Sequence, residues 1–159
     1  MKILFVSSEC APFSKSGGLA DVAFSLPPAL QKTGDELTIV TPMYRVTQEN
    51  YGDQFSLIKT GVIHLGQRQL SCSLYKGELN GVTVYAIGNE HLFHRPRLYG
   101  YGDDSLRFAF FCRAVIDLLP EFGDLPDILH CNDWETALAI LYLKNDAVLN
   151  DALSHIKTV

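Results

Sequence analysis

Apolar and polar positions along this chain fall into two alternating periods. The run Ile3-Leu4-Phe5-Val6 is continuous, as in a strand buried on both faces. After a stretch of small and polar residues, Leu19, Val22, Ala23, Leu26 and Leu30 recur at helical spacing. Strand, loop and helix make a first βα unit, stopped by Lys32-Thr33-Gly34. Pro27 and Pro28 fall inside the helical pattern, where they supply no amide donors, and are expected to kink it. Glu36-Leu37-Thr38-Ile39-Val40-Thr41 reads as a second strand closed by Pro42, parallel to the first through a right-handed crossover. Residues 44–54 are polar and show no clear period.

From Phe55 to Gly88 the pattern shortens to β-rich runs, Leu57–Leu65, Gln69–Leu79 and Val82–Ile87. Asn80-Gly81 between the last two is a hairpin signal. Leu70, Cys72 and Leu74 alternate as if one face were buried. Asn89–Gly102 reads as a long irregular loop rich in His, Arg, Tyr and Gly, and loops of that kind often carry function. Asp103-Asp104 is placed to cap a helix whose apolar positions are Leu106, Phe110, Phe111, Ala114, Val115, Leu118 and Leu119, ended by Pro120 and Gly123. Asp127-Ile128-Leu129-His130-Cys131-Asn132 is a third parallel-type strand. Asp133 then stands as the cap of a helix through Trp134, Ala137, Leu138, Leu141 and Tyr142, and Ile156-Lys157-Thr158-Val159 resembles the start of a further strand. The fold class is α/β: Rossmann-like, with a mostly parallel sheet, helices on both faces and an antiparallel hairpin extension.

The 159 residues make about one domain, 47% hydrophobic and 19% charged, which excludes a disordered chain. A formal net charge of -5 offers no electrostatic attraction to nucleic acid or an anionic membrane surface. No apolar run approaches the roughly 20 residues of a membrane span, and Met1-Lys2 leading straight into a strand is not the layout of a signal peptide. Cys10, Cys72, Cys112 and Cys131 form no Cys-x-x-Cys pair and read as packed thiols in a reduced, cytoplasmic protein.

In an open α/β sheet, ligands collect beyond the carboxyl ends of the parallel strands. Here those ends carry Ser7, Ser8 and Glu9, Thr41, and His130 through Asp133. The loop Lys15-Ser16-Gly17-Gly18 opens the first helix. Adjacent glycines let backbone amides approach a ligand, and the helix dipole and Lys15 both favour an anion. The pattern is neither Gly-x-Gly-x-x-Gly nor a P-loop, and a tight βα turn would also use glycines. Asp21 serves equally as a dipole complement, Asp133 as a cap, Trp134 as core, and His130 as a packed histidine. His91-x-x-His94 reads as two loop histidines rather than half of a metal site, and no Ser-His-Asp or Cys-His spacing supports acyl chemistry. A phosphorylated ligand with hydroxyls suits the inventory best.

Three segments resemble the bacterial glycogen synthase and plant starch synthase family. Lys15-Ser16-Gly17-Gly18-Leu19-Ala20-Asp21-Val22 is similar to its Lys-x-Gly-Gly-Leu-Ala-Asp-Val signature, preceded by Ser-Ser-Glu and Pro12. Arg95-Pro96-Arg97-Leu98-Tyr99-Gly100 resembles its Arg-Pro-x-x-Tyr loop. Asp127 through Trp134 is similar to its strand ending in Asn-Asp-Trp or His-Asp-Trp, and Glu135 stands where a His or Gln is common. The resemblance implies a GT-B architecture, of which residues 1–159 would be a partial N-terminal, acceptor-side domain. It implies retaining transfer of glucose from ADP-glucose (UDP-glucose in some members) to the non-reducing end of an α-1,4-glucan, in glycogen biosynthesis, without metal or cofactor. By motif, Lys15, Gly17 and Gly18 fall on the donor side, Asp21 and Asp133 are the catalytic carboxylates, and Tyr99, His130 and Asn132 lie on the sugar and acceptor side.

In that family the last strand continues into Thr-x-His-Asn, and a second domain brings most nucleotide contacts, a second Lys-x-Gly-Gly-Leu and an essential carboxylate. None of these is in the 159 residues, so the chain alone is expected to be inactive and to self-associate through an uncovered sheet edge. The competing readings are a non-catalytic glucan- or nucleotide-binding module and a generic doubly wound domain in which Lys15 has no special role.

Overall fold

The computed structural model describes residues 1–148 and 150–159. The chain runs β1 (Lys2–Ser7), α1 (Gly18–Lys32), β2 (Glu36–Pro42), α2 (Arg45–Tyr51), β3 (Ser56–Leu65), β4 (Arg68–Leu79), β5 (Val82–Gly88), α3 (Glu90–Phe93), α4 (Asp104–Asp117), β6 (Ile128–Asn132), α5 (Ala137–Ala147) and β7 (Lys157–Thr158). The strands form one sheet in the order β3-β4-β5-β2-β1-β6-β7. β5, β2, β1, β6 and β7 are parallel, and β3 and β4 extend the sheet antiparallel beyond β5.

The parallel part winds outward in both directions from β1, towards β2 on one side and β6 on the other. The strand order therefore reverses between β1 and β6, and a crevice opens beyond their carboxyl ends, where Ser7 stands opposite Asn132. Strand pleating sends alternate residues to opposite faces. Ile3 and Phe5 pack with Ala23 of α1, while Leu4, Val6 and Leu129 pack with Phe110, Phe111, Ala114 and Val115 of α4. Each fully buried Phe or Leu in these layers contributes about 1.5–3 kcal/mol of apolar transfer.

Several elements depart from the sequence pattern. Residues 45–51 are helical despite their polarity: Thr47 Oγ1 donates to the carbonyl of Phe13, Tyr51 packs edge-on against the Phe13 ring, and Arg45 pairs with Glu49 one turn on. α1 runs unbroken through Pro27 and Pro28, with Pro27 buried against the sheet. Its inner face is Ala20, Ala23 and Pro27, and Val22 and Phe24 turn outward, so the apolar periodicity marked the helix but misplaced part of its buried face. Asp103 occupies the cap position of α4 without capping it, since its carboxylate is taken by Arg95. Leu118 and Leu119 lie beyond α4, whose end passes into a 3-10 turn at Leu119–Phe122. The hairpin at Asn80-Gly81 forms, with φ of 51° and 83°. Leu74 and Cys72 face inward as their alternation implied. All four cysteines are free, and among the described residues no helix is long and apolar enough to cross a membrane.

Candidate functional site

The loop leaving β1 is built from within. Cys10 and Ser14 exchange backbone hydrogen bonds of 3.1 and 2.9 Å, closing a small antiparallel bridge. The amide of Ala11 donates to the carbonyl of Ala20, and Thr47 fixes Phe13. Glu9, only 3% exposed, turns its carboxylate onto the entry to α1. Its Oε2 accepts the amides of Ser16 and Gly17, and its Oε1 accepts from Ser16 Oγ at 2.6 Å. Gly17, at the cap position of α1, has no side chain to do this itself.

Lys15, Gly17 and Gly18 are exposed beyond the end of β1. Neither glycine has a positive φ, and a Cβ at either would meet no atom within 4 Å. The turn itself therefore does not require glycine here, which removes the simplest structural explanation for the pair and leaves open space above the backbone. Lys15 Nζ donates to Asp21 Oδ1 at 2.6 Å, so Asp21 both faces the α1 dipole and holds the lysine. Both side chains are about half exposed, and the pair adds little stability by itself.

The Asn89–Gly102 segment is the irregular loop its sequence suggested apart from the short helix α3, and side-chain bonds hold it in place. Asn89 caps α3 by accepting the Leu92 amide, and its Nδ2 donates to the Ser71 carbonyl. Arg95 grips Asp103 with two bonds of 2.7 Å, holding that carboxyl below its usual range, and lies 4.9 Å from the Tyr101 ring centre. Arg107 of α4 is fully buried beneath the segment. It donates to the carbonyls of Leu92 and Leu98 and to Asp104, and its guanidinium also lies over Tyr101. The clamped segment brings the Tyr99 hydroxyl to 2.9 Å from Ser8 Oγ, at the end of β1. Burial pushes the Tyr99 hydroxyl well above its ordinary range, so it stays protonated as a hydrogen-bonding group. Lys15, Ser16, Pro12 and Phe13 face Pro96, Arg97, Leu98 and Tyr99 across an open groove of about 540 Å³, floored in part by Val46, Asn50 and Tyr51 of α2.

The third segment closes the crevice from β6. Asn132 Nδ2 donates to the Val6 carbonyl at 2.9 Å, tying the ends of β6 and β1 together. Asp133 follows at φ 66°, ψ 179°, a region that glycine occupies almost alone, and its carboxylate accepts the amide of Trp134. It caps a 3-10 turn, Trp134–Thr136, that leads into α5, rather than α5 directly. Trp134 is not core: it is 55% exposed and touches Phe108 edge-on. Glu135 is buried with Oε2 unpartnered, and burial, then repulsion from Asp133, Glu9 and Asp104, raises its carboxyl above the usual range.

The structure thus gathers Lys15, Gly17, Gly18 and Asp21 on one side of the β1 end, Tyr99 over it, and Asn132 and Asp133 beside it. His130 is the exception. It pairs with Phe5 inside β6, half-buried with its ring 4.8 Å from that of Phe5, and burial lowers its pKa. His94 lies 3.2 Å from Gln48 Oε1, and the His91 carbonyl accepts from Arg95. Among the described residues no three His, Cys, Asp or Glu side chains cluster as metal ligands. Glu9 and Arg107 were missed as organisers of the site. A charged residue inside the apolar rhythm of α4 was the available signal for Arg107, whereas the reach of Glu9 to residues 16 and 17 leaves no mark in the sequence.

Comparison with known proteins gives one consistent result. A family model described as the starch synthase catalytic domain matches residues 2–159. A glycogen synthase of Anoxybacillus flavithermus is 40% identical over 159 residues, which is 100% of this chain and 33% of the relative. One of Bacillus cereus is 44% identical, again over 100% of this chain and 33% of its own length. Among solved structures, the catalytic domain of starch synthase IV from Arabidopsis thaliana, bound to ADP and acarbose, superposes with a TM-score of 0.85 at 30% identity, covering 99% of this chain and 32% of that one. The chain spans about a third of the length of the relatives it matches.

Proposed function

The chain belongs to the starch synthase catalytic domain family, and from that premise we propose that it forms the acceptor-side, N-terminal part of a GT-B glycogen or starch synthase. The parent enzyme transfers glucose from ADP-glucose to the non-reducing end of an α-1,4-glucan with retention, in glycogen biosynthesis in the cytoplasm, with no metal or cofactor. Lys15 and the Gly17-Gly18 backbone serve the donor, Asp21 and Asp133 are the catalytic carboxylates, and Tyr99 and Asn132 line the sugar and acceptor side. Positive charge beside the diphosphate stabilises the leaving group as the glycosidic bond breaks. The groove between Lys15 and Tyr99, with its aromatic and hydroxyl-bearing walls, suits a glucan end. The observation that carries this reading is the convergence of three signature segments on the β1 end: Lys15–Asp21, Tyr99 on Ser8, and Asn132-Asp133.

A site on one wall of a cleft does not complete a transferase, so the 159 residues alone are expected to be inactive. The test is glucose transfer from ADP-glucose to glycogen by this chain and by one that continues it through the remaining two thirds of the family's length. Activity in the longer protein only is the expected result. A folded longer protein without activity would refute the synthase reading and leave a non-catalytic glucan- or nucleotide-binding module, recognisable by retention on glycogen without turnover.

Self-association of the chain is part of the same proposal. β7 offers an open sheet edge, and Trp134, Leu138 and Leu141 are exposed at helical spacing along the neighbouring turn and α5. A sedimentation profile that stays monomeric at high concentration would contradict it.

A further inference from the structure

The Lys15–Gly18 loop is held by a residue outside it. Glu9 sits at the end of β1, where Ser7 Oγ donates to its carbonyl at 2.7 Å and fixes its backbone. From there its nearly buried carboxylate crosses to the loop and accepts three hydrogen bonds, from the amides of Ser16 and Gly17 and from Ser16 Oγ. A carboxylate on two amides at the positive end of a helix is a strong, charge-assisted arrangement. It also fills those amides. An anion arriving at the loop finds them occupied and meets instead Lys15 Nζ and the first-turn amides beginning at Gly18, which have no carbonyl one turn earlier to bond.

We infer that Glu9 is a positioning residue: its carboxylate fixes the Lys15-Ser16-Gly17 loop and withdraws the Ser16 and Gly17 amides from anion binding, so that the donor diphosphate is met by Lys15 and the turn beginning at Gly18. The inference rests on the donor reading of this loop. It narrows that reading, because Gly17 then provides room for the diphosphate and not a hydrogen bond. Glutamine at position 9 can keep the arrangement, its carbonyl accepting both amides and its amide donating to Ser16 Oγ. Alanine keeps none of it.

The experiment reads hydrogen exchange on this chain and ADP binding on the longer protein that continues it through the remaining two thirds of the family's length, each as wild type, Glu9→Gln and Glu9→Ala. Amide hydrogen exchange resolved by NMR reads the contact without ligand. Ser16 and Gly17 are expected to exchange slowly in the wild type and in Glu9→Gln, and at least tenfold faster in Glu9→Ala, with the β-sheet amides unchanged. ADP is expected to bind Glu9→Gln within about threefold of the wild type and Glu9→Ala at least tenfold more weakly, shifting the Gly18 resonance more than that of Gly17. Equal exchange of Ser16 and Gly17 in the wild type and a folded Glu9→Ala, or equal ADP affinity in those two proteins, would overturn the inference. So would an ADP-induced shift centred on the Ser16 and Gly17 amides. Absence of ADP binding to the longer wild-type protein would strike the donor reading instead, and the exchange rates of this chain would still decide whether Glu9 holds the loop.

Discussion

Asp133 shows how much one side chain can be asked to do. Its backbone at φ 66°, ψ 179° is of the kind that costs a non-glycine residue about 1–3 kcal/mol, and such cost persists where the surrounding structure over-determines the residue. Here the Asn132 bond to β1 and the Thr136 hydroxyl on the Asn132 carbonyl pin both flanks. Replacing Asp133 by glycine relieves the strain and loses only a weak cap, so Asp133→Gly is expected to be about 1 kcal/mol more stable than the wild type by urea unfolding. Asp133→Ala keeps the strain and loses the cap, and is expected to be less stable than the wild type. An Asp133→Gly chain with a lower urea midpoint than the wild type would show that the backbone at 133 is not strained. The aspartate was legible as a site candidate from its place after a strand; its strained conformation was not, because that arises from ties to β1 and to Thr136.

At the scale of elements, the antiparallel extension contains two glycines with opposite prospects. Gly77 in β4 faces the chain entering β3, where a Cβ would lie 2.8 Å from the Gln54 carbonyl oxygen and 2.9 Å from the Phe55 ring. Gly61 in β3 faces open space. Gly77→Ala is expected to destabilise the fold by about 1–3 kcal/mol through overpacking, whereas Gly61→Ala is expected to stabilise it by about 0.5–1 kcal/mol through reduced backbone freedom. Thermal melts of the two variants check both, and equal effects would mean that Gly77 does not meet Phe55 closely. The hairpin itself was legible from Asn80-Gly81, since a turn with two positive φ values is a local demand. α2 was not, because its polar residues show no stripe and its place is set by Thr47 and Tyr51 reaching Phe13. Nor was the way the Asn89–Gly102 loop is held, which depends on Arg107 donating to the Leu92 and Leu98 carbonyls from beneath it.

For the whole molecule, pH dependence follows from carboxyl groups whose environments differ. Asp103 and Asp146 are held below the usual 3.8 by hydrogen bonds from Arg95 and Arg113, so the stability they contribute is present above that value and is lost as pH falls through their lowered pKa values. Glu135 runs the other way. Burial, then its acidic neighbours, raises it above 4.5, so its ionisation costs stability as pH rises through the shifted value. Glu135→Gln is therefore expected to raise the melting temperature at pH 7 and to leave it near the wild-type value at pH 4. A gain of equal size at both pH values would mean that charge is not the cause. Sequence alone determined the α/β class, the parallel βα units and the hairpin, because strands, helices and tight turns answer to local periodicity and backbone preference, and it held the three segments that resemble the family. Tertiary structure decided which of those segments meet. It placed β6 beside β1 so that Asn132 reaches the β1 end, brought Tyr99 to the same end through the loop that Arg107 holds, left Trp134 outside the core, set the His130 ring against Phe5, and set Glu9 on the amides of Ser16 and Gly17. Those contacts join residues distant in sequence or turned by the local path of the backbone, and their energies exist only once the chain has closed around them.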